Sequence, residues 1–536
     1  MPNPGAPSAA TLPRRVLVTA GLFWLALAMP FALNVGERAL DDLWVTYRYA
    51  DHLVEGEGFV YNPGEPAEPV FGTESHSRAF GTTAPGHGLL LAAVAFVTRL
   101  PVPWAGTLVT ALALWATAML LLVDGARRRR VPESLLAGTL LVSSRYAWIH
   151  NGAEAHVVLA LLVAAAVLGR RRPVAAGLLA GFAVWCRPDA GLAVGLLGLL
   201  LWFETRRLPW RYGVAGAATI LAGLAAAWAW FGTPLPTTLA AKRTHTAFMP
   251  GTWVGGWGIF EPAFAQLRQS WLGPAAGAFV ALGVVGQVAL LWPGGTGGRA
   301  RKLLALNALA LAVAYPLLGV PFYTWYSLPV VAALLYGSVD LAGAAGRWLA
   351  ARLGKHRPRL VVPAAVLLSA ALLAPWLPAA FAASVRQATQ PFAAVRYDLY
   401  HRTAEWIRQR TPADARLATV EVGVLGYQAE RPLVDLLGLV TPDSIARLER
   451  RDLAGAFLAG EPDLFVVYEP MRRFQRSIVD APWFRTSFRE VARFRHPRSG
   501  ELLRLYERSP GGELPAPEGL SGDAGSAGEA TTRPSR

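Results

Sequence analysis

Between residues 16 and 380 the chain returns repeatedly to apolar runs of about 15 to 20 residues, separated by short polar or arginine-rich stretches. Nothing else in the sequence restricts the fold as strongly. Backbone polar groups in a bilayer must be satisfied within the spanning segment, so runs of this length and spacing specify a bundle of membrane helices. The balance of side chains agrees, with 53% hydrophobic and only 16% charged residues, well below the quarter or so usual in soluble domains.

The arginines orient the bundle. Basic clusters fall at Arg14 and Arg15, at 127–130, at 170–172, at Arg206, Arg207 and Arg211, at 299–302 and at 347–359. Placing all six on the cytoplasmic side makes the intervening runs pair, out and back. The spacing predicts spans near 16–35, 103–124, 132–149, 155–169, 173–187, 189–204, 212–231, 272–292, 302–318, 323–342 and 360–379, about eleven helices. The first is read as an uncleaved signal-anchor rather than a leader, because more spans follow it. The run at 86–100 is too short to cross and would reverse the topology if it did, so it is expected to lie on or dip into the outer leaflet.

This frame gives four regions. Residues 1–13 are expected to be disordered and 14–380 to form the membrane domain, with a large outer loop at 36–102. Residues 385–508 are expected to form a small extracytoplasmic α/β domain, and 509–536 a polar tail. In the third region "YDLYHRTAEWIRQRTPADAR" reads as an amphipathic helix, and "LATVEVGVLGY", "RPLVDLLG", "DLFVVYEP" and "ELLRLYERS" as strands.

Once the topology is set, the uncommon polar residues gather on the outer side. The first outer loop carries Asp41, Asp42, Tyr47, Arg48, Asp51, Glu74, His76 and His87, and the next carries His150, Asn151, Glu154 and His156. Arg187 and Asp189 follow, then Lys242, Arg243 and His245 after "FGTPLPTT", and finally Tyr323, Trp325 and Tyr326. Ionisable groups near membrane depth point to function. Asp41 and Asp42 fit two roles, a helix N-cap or a general base that deprotonates a hydroxyl. Tyr47 serves equally as an interfacial anchor or a ligand. Lys242 and Arg243 run against the positive-inside trend, which suits an anionic phosphate or lipid headgroups, and Arg187 adds a cation on that side.

Several classes are excluded or disfavoured. The net charge of +15 sits in loop clusters without a stacking-aromatic stripe, which argues against nucleic acid. No GxxxxGK[ST] or GxGxxG loop supports a nucleotide. Cys186 is the single cysteine, and the spacing of His150, Glu154 and His156 matches no zinc pattern, so no metal ligands are assigned. A divalent cation at the site stays open.

Taken in order, these segments resemble one family. "DDLWVTYRYADHLVEGEGFVYNPGEPAE", "NGAEAH", "CRPDA", "FGTPLPTTLAAK", "FYTWYSLP" and "ARLATVEVGVLGYQAERPLVDLLGLVTPD" are similar to bacterial GT-C-type membrane glycosyltransferases, nearest to terminal β-(1→2)-arabinofuranosyltransferase-like proteins. The resemblance implies an inner-membrane enzyme that takes its sugar from a polyprenyl-phosphate donor, with inversion, and passes it to a glycan, lipid or protein acceptor. It implies Asp41 as base with Asp42 in support. It makes Glu154, Arg187, Lys242 and Tyr326 donor or acceptor contacts, and Tyr47, Arg48 and Arg243 complete the candidate binding set. The stretch "PVFGTESHSRAFGTT" departs from the family pattern, and with it the acceptor and sugar. Two other classes fit a polytopic chain. A transporter or flippase would show internal repeats and broken mid-membrane helices, and a non-catalytic scaffold would tolerate loss of the aspartates.

Overall fold

In the computed structural model, residues 12–64, 78–248, 254–292, 297–321, 323–353, 361–390 and 395–516 are described. Glu74, His76 and most of both terminal segments lie outside them. The chain divides into two compact units. The first comprises Met1–Val60, Thr82–Leu235 and Gly251–Ala394, and the second Tyr61–Gly81, Pro236–Pro250 and Val395–Arg536.

The first unit is helical. Its helices are α1 (Arg14–Val35), α2 (Asp41–Glu55), α3 (Pro85–Thr98), α4 (Val102–Ala126), α5 (Val131–Val142), the short α6 (Arg145–Trp148), α7 (Glu154–Leu168), α8 (Pro173–Cys186), α9 (Ala190–Thr205) and α10 (Trp210–Phe231). After α11 (Thr238–Phe248), which belongs to the second unit, come α12 (Phe260–Leu267), α13 (Ala276–Leu291), α14 (Arg299–Leu318), α15 (Leu328–Leu353), α16 (Val361–Leu373) and α17 (Leu377–Thr389). Among the described residues six helical segments are long and apolar enough to cross a membrane, or seven if α16 and α17, bent by 66°, count as one broken span. Helices α3, α7, α8 and α9 are apolar but shorter. The protein is thus a polytopic α-helical membrane protein. The elements fall where the periodicity places them, while the expected count of about eleven full crossings exceeds the number that reach spanning length.

Small residues let these helices approach closely. A Cβ on Gly181 of α8 would stand 2.6 Å from Thr219 of α10, and one on Gly283 of α13 2.8 Å from Leu334 of α15. Indole donors add polar ties, from Trp24 Nε1 to Thr139 Oγ1 at 3.1 Å and from Trp115 Nε1 to the Gly21 carbonyl at 3.1 Å.

The two ends of the bundle are chemically different. At one end Arg301 donates to Asp340 at 2.9 Å and to Ser134 at 2.7 Å, Arg130 lies 3.4 Å from Asp340, and Arg347 pairs with Glu133. Arg299 reaches Glu204 and the Ala166 carbonyl there, at the ends of α9 and α7. At the other end Thr107 and Asn151 both donate to the Gly36 carbonyl, joining α1, the start of α4 and the loop before α7. Helix α3 begins at this end, where His87 Nε2 meets the Gly152 carbonyl at 2.9 Å. It finishes four residues before α4 starts, and its 14 residues keep it below spanning length.

The second unit is an α/β fold. Helix α18 (Val395–Arg410) precedes a five-stranded sheet of order β2-β1-β3-β5-β4, with β1 (Leu417–Thr419), β2 (Leu433–Asp435), β3 (Leu464–Tyr468), β4 (Phe488–Arg495) and β5 (Leu502–Arg508). β1 pairs parallel with β2 and β3, and β5 pairs antiparallel with β3 and β4. Two sequence excursions complete this unit. Tyr61 donates its hydroxyl to the Val422 carbonyl at 2.5 Å, and Asn62 exchanges hydrogen bonds with Leu433 N and O at 3.2 and 2.9 Å, extending the β2 edge. From α11, His245 Nε2 meets the Leu437 carbonyl at 2.7 Å.

Candidate functional site

Helix α2 starts abruptly after the first span. Its N-cap is Leu40, whose side chain caps nothing, and Asp41 and Asp42 occupy the first turn. The N-cap role expected for one of them is therefore taken by an apolar residue. Both aspartates are half-buried, at the positive end of the helix dipole, and point about 100° apart around the axis. The helix stops at Gly56, left-handed at φ +89°, whose N–H turns back to His52 and Leu53.

Tyr47 and Arg48 lie deeper on the same helix. Arg48 is buried, and Tyr47 is fully enclosed. The Tyr47 hydroxyl rests against Gly106 and Gly152, and no hydrogen-bond partner for it occurs among the described residues. A Cβ on Gly106 would come within 2.6 Å of that oxygen, and one on Gly152 would overlap it. Gly152 also has φ +82°, a conformation costly for any side chain. Burial, and secondarily the Glu154 carboxylate, push the Tyr47 phenol above its ordinary range.

Glu154 opens α7 and is buried. Arg187, just past α8, reaches it through Nη1 at 2.7 Å. The same guanidinium grips Asp189 with two parallel bonds of 2.9 Å from Nε and Nη2, and Nη2 also donates to the Tyr315 hydroxyl at 2.6 Å. Tyr315 in turn donates to Asp189. The guanidinium stands 4.7 Å from the centre of the Tyr326 ring, and that ring stacks on Tyr315 with centroids 4.7 Å apart and planes 13° from parallel. Burial opposes the charge on Asp189, but Arg187 outweighs it and holds the carboxyl below its usual range. Pro188 keeps Arg187 extended and ends α8 there, so the Arg-Pro-Asp turn delivers both charged groups to one point.

The structure therefore gathers Glu154, Arg187 and Tyr326, and adds Asp189 and Tyr315. Asp189 was visible in sequence as a neighbour of Arg187. Tyr315 gave no signal, being one tyrosine near the end of an apolar run, and only folding brings it across 126 residues to Asp189. His150 and His156 are buried and bonded to backbone carbonyls, and burial drives His150 down to about 3, so it remains neutral. No group of three or more His, Cys, Asp or Glu side chains suited to a metal occurs among the described residues. Lys242 and Arg243 belong to the second unit, Lys242 buried and Arg243 exposed on α11.

A domain of unknown function, DUF8728, matches residues 386–509. No curated protein matches the chain in sequence. Solved structures are similar in fold. ArnT from Cupriavidus metallidurans bound to undecaprenyl phosphate overlays with TM-score 0.50 and 14% identity over 90% of this chain and 97% of that one. Its apo state gives 0.51 and 14% over 91% and 98%. The Archaeoglobus fulgidus oligosaccharyltransferase tethered to an acceptor peptide gives 0.53 and 11% over 93% and 74%. The chain shares its overall fold with these structures. Its membrane helices and its small α/β unit are both covered by that likeness.

Proposed function

We propose that the protein is a membrane glycosyltransferase that moves a sugar from a polyprenyl-phosphate donor to a cell-envelope glycan, lipid or protein acceptor at the outer face of a bacterial inner membrane. The observation that carries this reading is the Asp41–Asp42 pair in the first turn of α2, directly after the first membrane helix of a GT-C fold. It lies at the bundle end that also bears Glu154 and Arg187.

The chemistry follows from those groups. The acceptor hydroxyl attacks the anomeric carbon while Asp41 takes its proton and Asp42 supports Asp41. The bond from the anomeric carbon to the phosphate oxygen breaks, and polyprenyl phosphate leaves with inversion at the sugar. Cations stabilise the leaving phosphate. Lipid-borne donors need no nucleotide site, in keeping with the lack of phosphate-loop motifs in the sequence.

The test is direct. Purified protein is incubated with a panel of radiolabelled polyprenyl-phosphate sugars, and transfer or hydrolysis is counted. Asp41→Asn is expected to lose roughly 10²–10⁴-fold in turnover while still folding. Wild-type turnover by the Asp41→Asn, Asp42→Asn double variant would overturn the assignment. Net solute movement into vesicles without sugar transfer would favour a transporter.

A further inference from the structure

Arg187 is an unusual candidate for a phosphate ligand because its charge is already met. Nε–H and one Nη2–H go to Asp189, the other Nη2–H to Tyr315, and one Nη1–H to Glu154. One Nη1–H is left over. One guanidinium faces two carboxylates, Glu154 and Asp189, which leaves the cluster with a net negative charge. A phosphate brought here would meet a surplus of negative charge, with no guanidinium fork left to bind it.

The side of the cluster open to solvent has a different character. Arg187 and Glu154 are buried, whereas Asp189, Tyr315, Tyr323 and Tyr326 are half-exposed. The rim is therefore one carboxylate edge beside tyrosine rings, with Tyr323 and Tyr326 5.4 Å apart at an angle of 60°. A carboxylate accepts from hydroxyl groups, and aromatic rings receive the C–H face of a ring that is polar at its edge. Neutral, polyhydroxylated ligands suit such a surface.

We infer that the Glu154–Arg187–Asp189–Tyr315–Tyr326 cluster is a sugar-ring subsite, with Asp189 and Tyr326 touching the sugar and Tyr315 positioning Asp189 and Arg187. This rests on the glycosyltransferase reading above and changes one part of it. Arg187 orients the Asp189 carboxylate that reads sugar hydroxyls, and the phosphate is bound elsewhere.

The experiment compares wild type, Asp189→Asn and Tyr315→Phe in detergent. Undecaprenyl phosphate binding is titrated beside steady-state kinetics with the donor that the panel identifies. Both variants are expected to raise KM for the sugar substrate roughly tenfold, the effect of one hydrogen bond to a charged group. Undecaprenyl phosphate affinity should be unchanged, or tighter for Asp189→Asn, and a general packing defect would not produce that split. Equal weakening of undecaprenyl phosphate, or unchanged KM in both variants, overturns the subsite. If no donor is turned over, the glycosyltransferase reading fails first, and the subsite is tested on its own by titrating methyl arabinofuranoside and methyl glucoside against tyrosine fluorescence. Binding to wild type that Asp189→Asn abolishes supports it, and no binding of either glycoside overturns it.

Discussion

At the scale of single residues, the tightest constraint is Gly152. It combines φ +82° with a position where an added Cβ would overlap the Tyr47 hydroxyl, so a methyl group there is both strained and overlapping. Gly152→Ala is expected to cost about 2–4 kcal/mol and to lower the melting temperature in detergent. Adding Tyr47→Phe removes the oxygen that the new methyl strikes and should restore part of the loss, without rescuing the backbone strain. Tyr47→Phe alone removes a buried hydroxyl that bonds to none of the described residues, so it should melt no lower than wild type. A Gly152→Ala protein that melts like wild type would show that the α2 anchor yields. Sequence alone reached Tyr47 and Glu154 separately. It could not show that the glycine two residues before Glu154 is the seat on which α2 rests, because that contact joins residues 105 positions apart in the chain.

Elements are held by a different kind of contact at the arginine-rich end. Sequence reading treats those arginines as topology signals exposed to water, which suits 170–172. Arg130 and Arg301 instead are buried against Asp340, tying the loop before α5 to α14 and α15. Removing one member of a buried pair strands the other charge. Asp340→Asn should therefore destabilise by about 3–5 kcal/mol, read as a lower melting temperature and reduced yield. An Arg130→Leu, Arg301→Leu, Asp340→Leu triple variant should lose less than Asp340→Asn, since no member of the buried cluster is left unpaired. Strands show the same limit of local reading. β4, "FREVARFR", carries no clean apolar alternation, because only Phe488 and Phe494 face inward while Arg489, Arg493 and Arg495 are exposed along a sheet edge. Edge strands tolerate and use such charge. Conversely, "EVGVLGY" continues the apolar pattern of β1 yet folds into α19 (Val424–Ala429), where the Tyr61 hydroxyl meets the preceding turn.

Over the whole molecule, the chain order of regions and their spatial membership differ. Besides 395–516, the α/β unit takes in the described parts of 61–81 and 236–250, two segments that sequence reading assigns to outer loops of the membrane domain. Two buried titratable groups report on this assembly. His245, from α11, is pushed by burial down to about 4, and Asp435, at the end of β2, is pushed by burial up to about 6. Their signs are opposite. The His245 contribution is present above the ordinary imidazole range near 6.5 and is lost as pH falls toward 4. The Asp435 contribution is present below the ordinary carboxyl range and is lost as pH rises through about 6. Denaturant unfolding of the full chain, followed between pH 4 and 7, should thus show partial cancellation in wild type. In His245→Gln the acid-side loss should disappear, leaving stability that only falls with rising pH, and an unchanged profile would remove His245 from the account.

What the sequence determined by itself was the kind of molecule and its polarity. Apolar length fixes membrane helices whatever surrounds them, and charge between the runs fixes which ends belong together. It also marked Asp41, Asp42, Glu154 and Arg187, because charged residues beside apolar runs stand out without any model of packing. Only the tertiary structure decided what those groups face. Leu40, not an aspartate, occupies the N-cap of α2, and Arg187 is neutralised by Glu154 and Asp189 rather than left open. Two outer-loop segments prove to be parts of the α/β unit. The physical reason is common to all three. Periodicity and composition report the environment of a segment averaged over its length, whereas hydrogen bonds and ion pairs are decided at single atoms, between partners that chain distance does not disclose.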